Sequence, residues 1–208
     1  ASDGSSGMEL WAHDTSNAST WRVADIYSGT GNSAPGIYVA ILVGDTLYFG
    51  AYDGSSGREL WAHDTSNSST WRVTDINSGS GTSSPGSYME ILVGDTIYFD
   101  AYDGSSGMEL WAHDTSNAST WRVADINSGT GHSNPGYYME ILVGDTLYFD
   151  ANDGSSGIEL WAHRPSTIGY NTNTGGAVTS WAISPALPSG LPSVPATERS
   201  QVHRPNGW

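Results

Sequence analysis

The 208-residue chain contains no cysteine and no lysine, and only seven arginines stand against 22 acidic residues. Without cysteine, disulfides and thiolate metal sites are excluded, and the redox compartment stays open. A net charge of −15 sets the surface against phosphate backbones and anionic headgroups. Nucleic acid is therefore not an expected partner; metal cations, basic partners or plain solubility in salty water suit such a surface. No run of about 18 apolar residues occurs, so direct membrane insertion is not expected. Apolar residues at helical spacing over two or more turns are also missing, and 26 glycines weigh further against helices. The chain opens on Ala1 inside a repeat with no charged-then-apolar leader, so the true N-terminus is expected elsewhere.

What is present is a repeat. Residues 1–50, 51–100 and 101–150 align without a gap, and 151–163 begin a further copy. Each unit punctuates itself into four short strands. Tyr138 to Val143 is an apolar run, Gly144-Asp145 is a two-residue hairpin turn, and Thr146 to Ala151 returns from it. Asp103-Gly104-Ser105-Ser106-Gly107 is turn chemistry, followed by a strand over Glu109 to His113 and another over Trp121 to Ile126. Four strands at a period of about 40 to 50 residues predict all-β propeller-type blades, each four-stranded and antiparallel and stable only against a neighbour. The cut points give two strands of one blade, two whole blades and three strands of another. An incomplete ring or open arc is expected, although Thr20 to Ile26 could lend the last blade a fourth strand.

The string Gly107-Met108-Glu109-Leu110-Trp111-Ala112-His113-Asp114, then Trp121-Arg122-Val123-Ala124-Asp125-Ile126 and Gly144-Asp145-Thr146-Leu147-Tyr148-Phe149, resembles ELWxxDGT-type repeats. The departure is Thr115-Ser116-Asn117 where that family has Gly-Thr. The resemblance covers residues 1–163 and implies a propeller within a large secreted or surface-displayed microbial protein. Residues 170–191 resemble the opening of immunoglobulin-like domains of microbial surface proteins, so 164–191 reads as a linker and a truncated domain start. Read one frame over, one choice of codons for 195–205 spells Gly-Thr-Ile-Ser-Gly-Thr-Pro, the motif missing from that domain. Residues 192–208 are accordingly expected to be out of frame or disordered.

Several residue sets invite chemistry. Carboxylates recur as Asp100, Asp103 and Glu109, and again as Asp150, Asp153 and Glu159, oxygen ligands around a glycine turn of the kind calcium takes. The EF-hand ladder is missing, so the plainer expectation is Asp-Gly turns with Glu109 paired to Arg122 on the next strand. His13, His63, His113 and His163 hold one position per copy; a strand-end histidine bonding its turn is expected rather than a metal ring. Trp11, Trp61, Trp111 and Trp161 could stack on sugars, although packing between blades is the plainer use of large aromatics. The copies differ mainly in one link, at Asn32/Thr82/His132, Ala34/Ser84/Asn134 and Ile37/Ser87/Tyr137. His132 and Tyr137 there would serve a ligand surface, or the link is merely the least constrained segment. Asn17, Asn67 and Asn117 open Asn-x-Ser triplets in exposed turns and are candidate glycosylation sites.

No catalytic constellation is found: near-identical copies place the same Ser, His and Asp on every blade, whereas an active site needs one asymmetric set. The expectation is a non-catalytic binding, adhesion or structural module of a large extracellular or cell-surface protein. Its partners would be neighbouring domains of the same longer chain, glycans or surface proteins, with calcium as the one cofactor to consider. A carbohydrate-binding, lectin-like propeller and an accessory propeller of a secreted hydrolase are the alternatives.

Overall fold

The computed structural model describes residues 1–165 and 183–184. Every regular element among them is a β-strand. β1 (Leu10–Asp14) and β2 (Ser19–Ala24) form a two-stranded antiparallel sheet. β3 (Ala40–Val43), β4 (Thr46–Tyr52), β5 (Arg58–Asp64) and β6 (Ser69–Arg72) form the first four-stranded meander. β7 (Glu90–Val93), β8 (Thr96–Tyr102), β9 (Met108–Asp114) and β10 (Ser119–Ala124) form the second. β11 (Glu140–Val143), β12 (Thr146–Asn152), β13 (Ile158–His163) and β14 (Ile183–Ser184) form the third.

Local chemistry sets the three turns of each blade. Gly44 takes φ 58° in the two-residue loop between Val43 and Thr46, which pair with each other, so this hairpin needs a residue without a Cβ there. After the second strand, Asp53 Oδ1 accepts the N–H groups of Ser55 and Ser56, each at 2.8 Å, closing the Asp-Gly loop on itself. After the third, Asp64 accepts from Ser66 and Asn67, while the Thr65 N–H and hydroxyl both reach the Asp45 carbonyl at 2.9 Å. That last contact ties two turns of one blade together.

The central strands bury both faces because the sheets stack face to face. In β8, Ile97, Phe99 and Ala101 join Tyr48, Leu60 and Ala62 of the first meander in one core. Tyr98 turns the other way and joins Leu110 and Ala112 against Leu147, Phe149, Ala151 and Trp161 of the third. Each fully buried Phe or Leu contributes about 1.5–3 kcal/mol relative to its exposed state. Stacked four-stranded antiparallel meanders are propeller-type blades, and among the described residues they do not close. Leu60 and Leu110 are 0% exposed, but their counterpart Leu160 on the outer face of the last blade is 53% exposed.

Two expectations need correcting. The segment around Thr20 to Ile26 supplies β2, which pairs with β1 and not with the last blade. The fourth strand of that blade is instead the two-residue β14, from the segment read as an immunoglobulin-like start, paired through Ala162↔Ser184 and His163↔Ile183. The rest of that segment and the 192–208 tail lie outside the described residues.

Candidate functional site

The segments that join one blade to the next carry both the buried polar groups and the exposed aromatic ones. Beneath the link after the second meander, Glu109 of β9 is 0% exposed. Its carboxyl group accepts the Ile126 N–H at 2.7 Å and the Ser133 N–H at 3.2 Å, and lies 2.8 Å from Ser133 Oγ. The same hydroxyl is 2.9 Å from the Met108 carbonyl. One hydroxyl proton cannot serve both acceptors, so a protonated Glu109 donating to Oγ would satisfy the set. Burial pushes the Glu109 carboxyl up to about 7 and that of Glu59 up to about 6, against the hydrogen bonds they accept. Glu59 repeats the clamp on Ile76 and Ser83, and Glu9 on Ile26 and Ser33. A Cβ at Gly107 would overlap the Gly131 carbonyl, which is why strand and link can approach this closely.

A second carboxylate holds the far end of the link. Asp100 Oδ1 accepts the Tyr88 and Met89 N–H groups, both at 2.9 Å, and Asp150 Oδ1 does the same for Tyr138 and Met139 at 3.0 and 2.8 Å. Burial pushes Asp100 up to about 7, with those two N–H groups opposing. Its other oxygen is buried with no hydrogen-bond partner among the described residues.

This arrangement decides where the expected metal ligands lie. Asp100 pairs with Leu110 and Glu109 with Ala101, so the two carboxylates leave opposite faces of one sheet. Asp103 stays in its surface turn, accepting from Ser105 and Ser106. In the next copy Asp150 and Glu159 likewise sit opposite Leu160 and Ala151, and the Ser156 and Ser155 N–H groups hold Asp153 down to about 2. Among the described residues no group of three or more His, Cys, Asp or Glu side chains is placed to hold a metal ion. The expected Glu109–Arg122 pair does not form. Arg122 lies 3.4 Å from Asp103 and 3.8 Å from Asp125, because Glu109 is sealed beneath the link and only surface carboxylates are within reach.

The other sets fall as follows. His13, His63 and His113 bond Thr20, Thr70 and Thr120 across the strand pair at 2.7, 2.8 and 2.9 Å, rather than the turn between. Trp161 is buried and donates to the Ala151 carbonyl at 3.1 Å, and Trp111 packs against the core between the first and second meanders. Trp61 and Trp11 are half-buried. Asn17, Asn67 and Asn117 are exposed, each donating its amide to the aspartate that opens the turn, at 2.8, 2.7 and 2.7 Å. The variable position 32/82/132 plays one constant structural role. Asn32, Thr82 and His132 each accept the N–H that opens the third strand, from Met8, Arg58 and Met108 at 2.7, 3.2 and 3.0 Å. Three residue types preserve one acceptor there.

Position 137 differs. The Tyr137 ring lies 4.8 Å from that of Tyr88, tilted by 54°, and meets Tyr138 edge-on at 4.7 Å. Tyr137, Tyr88 and Tyr138 are 49%, 39% and 74% exposed. Glu90 and Glu140 open the first strands just beyond them. Burial raises the Glu140 carboxyl, and the charges of Glu90 and Asp150 raise it further. Sequence reasoning reached Tyr137 but missed Tyr88, Tyr138, Ser83 and Ser133. The signal for the serines was the Ser-x-Pro-Gly run present in every link.

No family model matches the chain, and no curated protein does. Among solved structures it is similar to TolB from Acinetobacter baumannii, at 17% identity and a TM-score of 0.44, over 76% of this chain and 36% of that one. It is also similar to a puromycin hydrolase mutant complexed with PGG, at 13% identity and a TM-score of 0.49, over 71% of this chain and 21% of that one. The chain thus spans about a third and about a fifth of the lengths of these two proteins. Its blade architecture rests on its own strand pairing and interblade packing.

Proposed function

We propose that the chain is a non-catalytic binding or adhesion module of a longer extracellular protein, with Tyr88, Tyr137 and Tyr138 as its contact surface. The observation that carries this reading is the exposed set of three tyrosines from two successive links, joined through the ring of Tyr137, where the other copies place Ser87 and Ile37. Large aromatics cost solubility when left in water and gain when a flat apolar partner covers them. The polar groups, by contrast, are absorbed in holding turns and links, and all but the aspartate that Gly50 replaces repeat from blade to blade. A carbohydrate ligand is the second reading, favoured by aromatic faces beside the Glu90 and Glu140 carboxylates, which can accept sugar hydroxyls. Binding to a glycan array and to immobilised cell-surface protein tests both. Tyr137→Ser, which restores the residue of the preceding copy, should abolish capture while leaving the fold intact. Capture unchanged in Tyr137→Ser and in Tyr138→Ser would remove the surface from the account.

A further inference from the structure

Tyr38, Tyr88 and Tyr138 hold one position in three successive links. At the first of them the chain supplies its own cation: the Arg58 guanidinium lies 5.6 Å from the centre of the Tyr38 ring. A cation–π contact reaches about 6 Å. Arg58 Nη1 also donates to the Ala34 carbonyl at 3.0 Å, so a ring and a carbonyl together hold the planar group. The second blade repeats both receiving groups, as Tyr88 and the Ser84 carbonyl, but places Met108 where the first has Arg58. That carbonyl accepts the Ser87 hydroxyl at 2.7 Å and keeps a second lone pair. Tyr88 is exposed although its blade packs against a meander on either side, and Tyr137 sets a second ring beside it. Negative charge adjoins the rings. Glu90, exposed two residues on, faces Glu140 closely enough that each charge opposes the other. A net charge of −15 draws cations to the whole surface.

We propose that Tyr88, Tyr137 and the Ser84 carbonyl form a seat for a guanidinium, the side chain of an arginine on a basic partner protein. The guest arginine repeats from outside the contact that Arg58 makes from within. Its plane rests on the Tyr88 ring and one N–H reaches the Ser84 carbonyl, while Glu90 and Glu140 supply the opposing charge. A lysine ammonium matches the charge but not the plane or the fork of donors. This inference rests on the reading of the tyrosines as a contact surface and names the group they receive.

The probe is the end-capped tripeptide Gly-Arg-Gly, titrated into the full chain while the tyrosine ring signals are followed by NMR. Saturable shifts are expected at Tyr88 and Tyr137, with Gly-Lys-Gly binding at least about threefold more weakly. Met108→Arg gives the second blade a residue that the first already accommodates. Its guanidinium should take the seat and weaken the tripeptide at least about fivefold. Equal binding of the two tripeptides would reduce the effect to net charge and overturn the proposal. So would absence of saturable shifts, or a Met108→Arg chain that binds as the parent does. The tripeptide comparison uses the unaltered chain, so it decides the matter whatever the variant does to folding. Capture of a cell-surface protein that Tyr137→Ser abolishes, with no tripeptide binding, overturns the guanidinium and leaves the contact surface standing. Loss of both removes the surface as well.

Discussion

The link before the first meander and the link before the second begin alike and end differently. Both are clamped at their start by a buried glutamate, Glu9 or Glu59. At the far end the second link gives two N–H groups to Asp100, but the first meets Gly50, which has only backbone to offer. There the Val39 N–H turns outward to the Pro85 carbonyl of the following link, at 3.3 Å, and the Ala40 N–H is taken by Glu90 at 2.8 Å. The difference teaches what the aspartate does. It terminates the link inside its own blade, whereas glycine leaves the termination to the next blade along.

The largest effect is expected where the links agree. Glu109→Ala leaves the Ile126 N–H buried without an acceptor and the Ser133 N–H with the Met108 carbonyl alone, and should cost about 2–4 kcal/mol, read from the urea midpoint. Asp100→Gly converts the second link into the first. It removes two hydrogen bonds and adds backbone freedom, a loss of about 2–3 kcal/mol at mildly acidic pH.

The pH dependence sharpens the same contrast. Asp100 and Glu109 sit near 7 and Glu59 near 6, above the ordinary 3.8 and 4.5, so the stability they contribute is complete below about pH 4 and is lost as pH rises through their folded values. His163, pushed by burial from 6.5 down to about 4, acts in the opposite direction: its contribution is present above 6.5 and lost as pH falls toward 4. Asp100→Asn should therefore gain on the parent between about pH 5 and pH 8 in denaturation midpoints, because the ionisation cost at that site is gone. The reverse exchange, Gly50→Asp, has room, since an added Cβ meets Pro85 and Tyr38 at 3.8 Å. It should stabilise by about 0.5–1 kcal/mol at acidic pH. The smallest effect is none: chelating calcium should leave the melting temperature unchanged, because Asp100 and Glu109 leave opposite faces of the sheet and Asp103 stays in its turn.

The strand content of each blade was legible because turn residues and period-two alternation are local signals. The boundaries moved where a distant carboxylate intervened. The apolar run from Tyr138 was read as strand throughout, but Tyr138 and Met139 give their N–H groups to Asp150, so β11 starts only at Glu140. In the fourth strand Ile126 is drawn off to Glu109, and the pairing slides back to Ser119 and Thr120 against Asp114 and His113. The clamp itself joins residues 24 apart in sequence, and no local pattern carries it. Arg122 offered an obvious charge partner for Glu109, yet a carboxyl sealed beneath a link is better matched by N–H groups and a serine than by a guanidinium that must stay near water.

Native-state hydrogen exchange, resolved by residue, tests the link comparison most directly. Slow exchange is predicted at Tyr88, Met89, Tyr138 and Met139, whose N–H groups are held by aspartate, with much faster exchange at Tyr38, which faces Gly50's blade without that acceptor. Matching protection at Tyr38 and Tyr88 would contradict it, since the aspartate would then contribute nothing that glycine lacks.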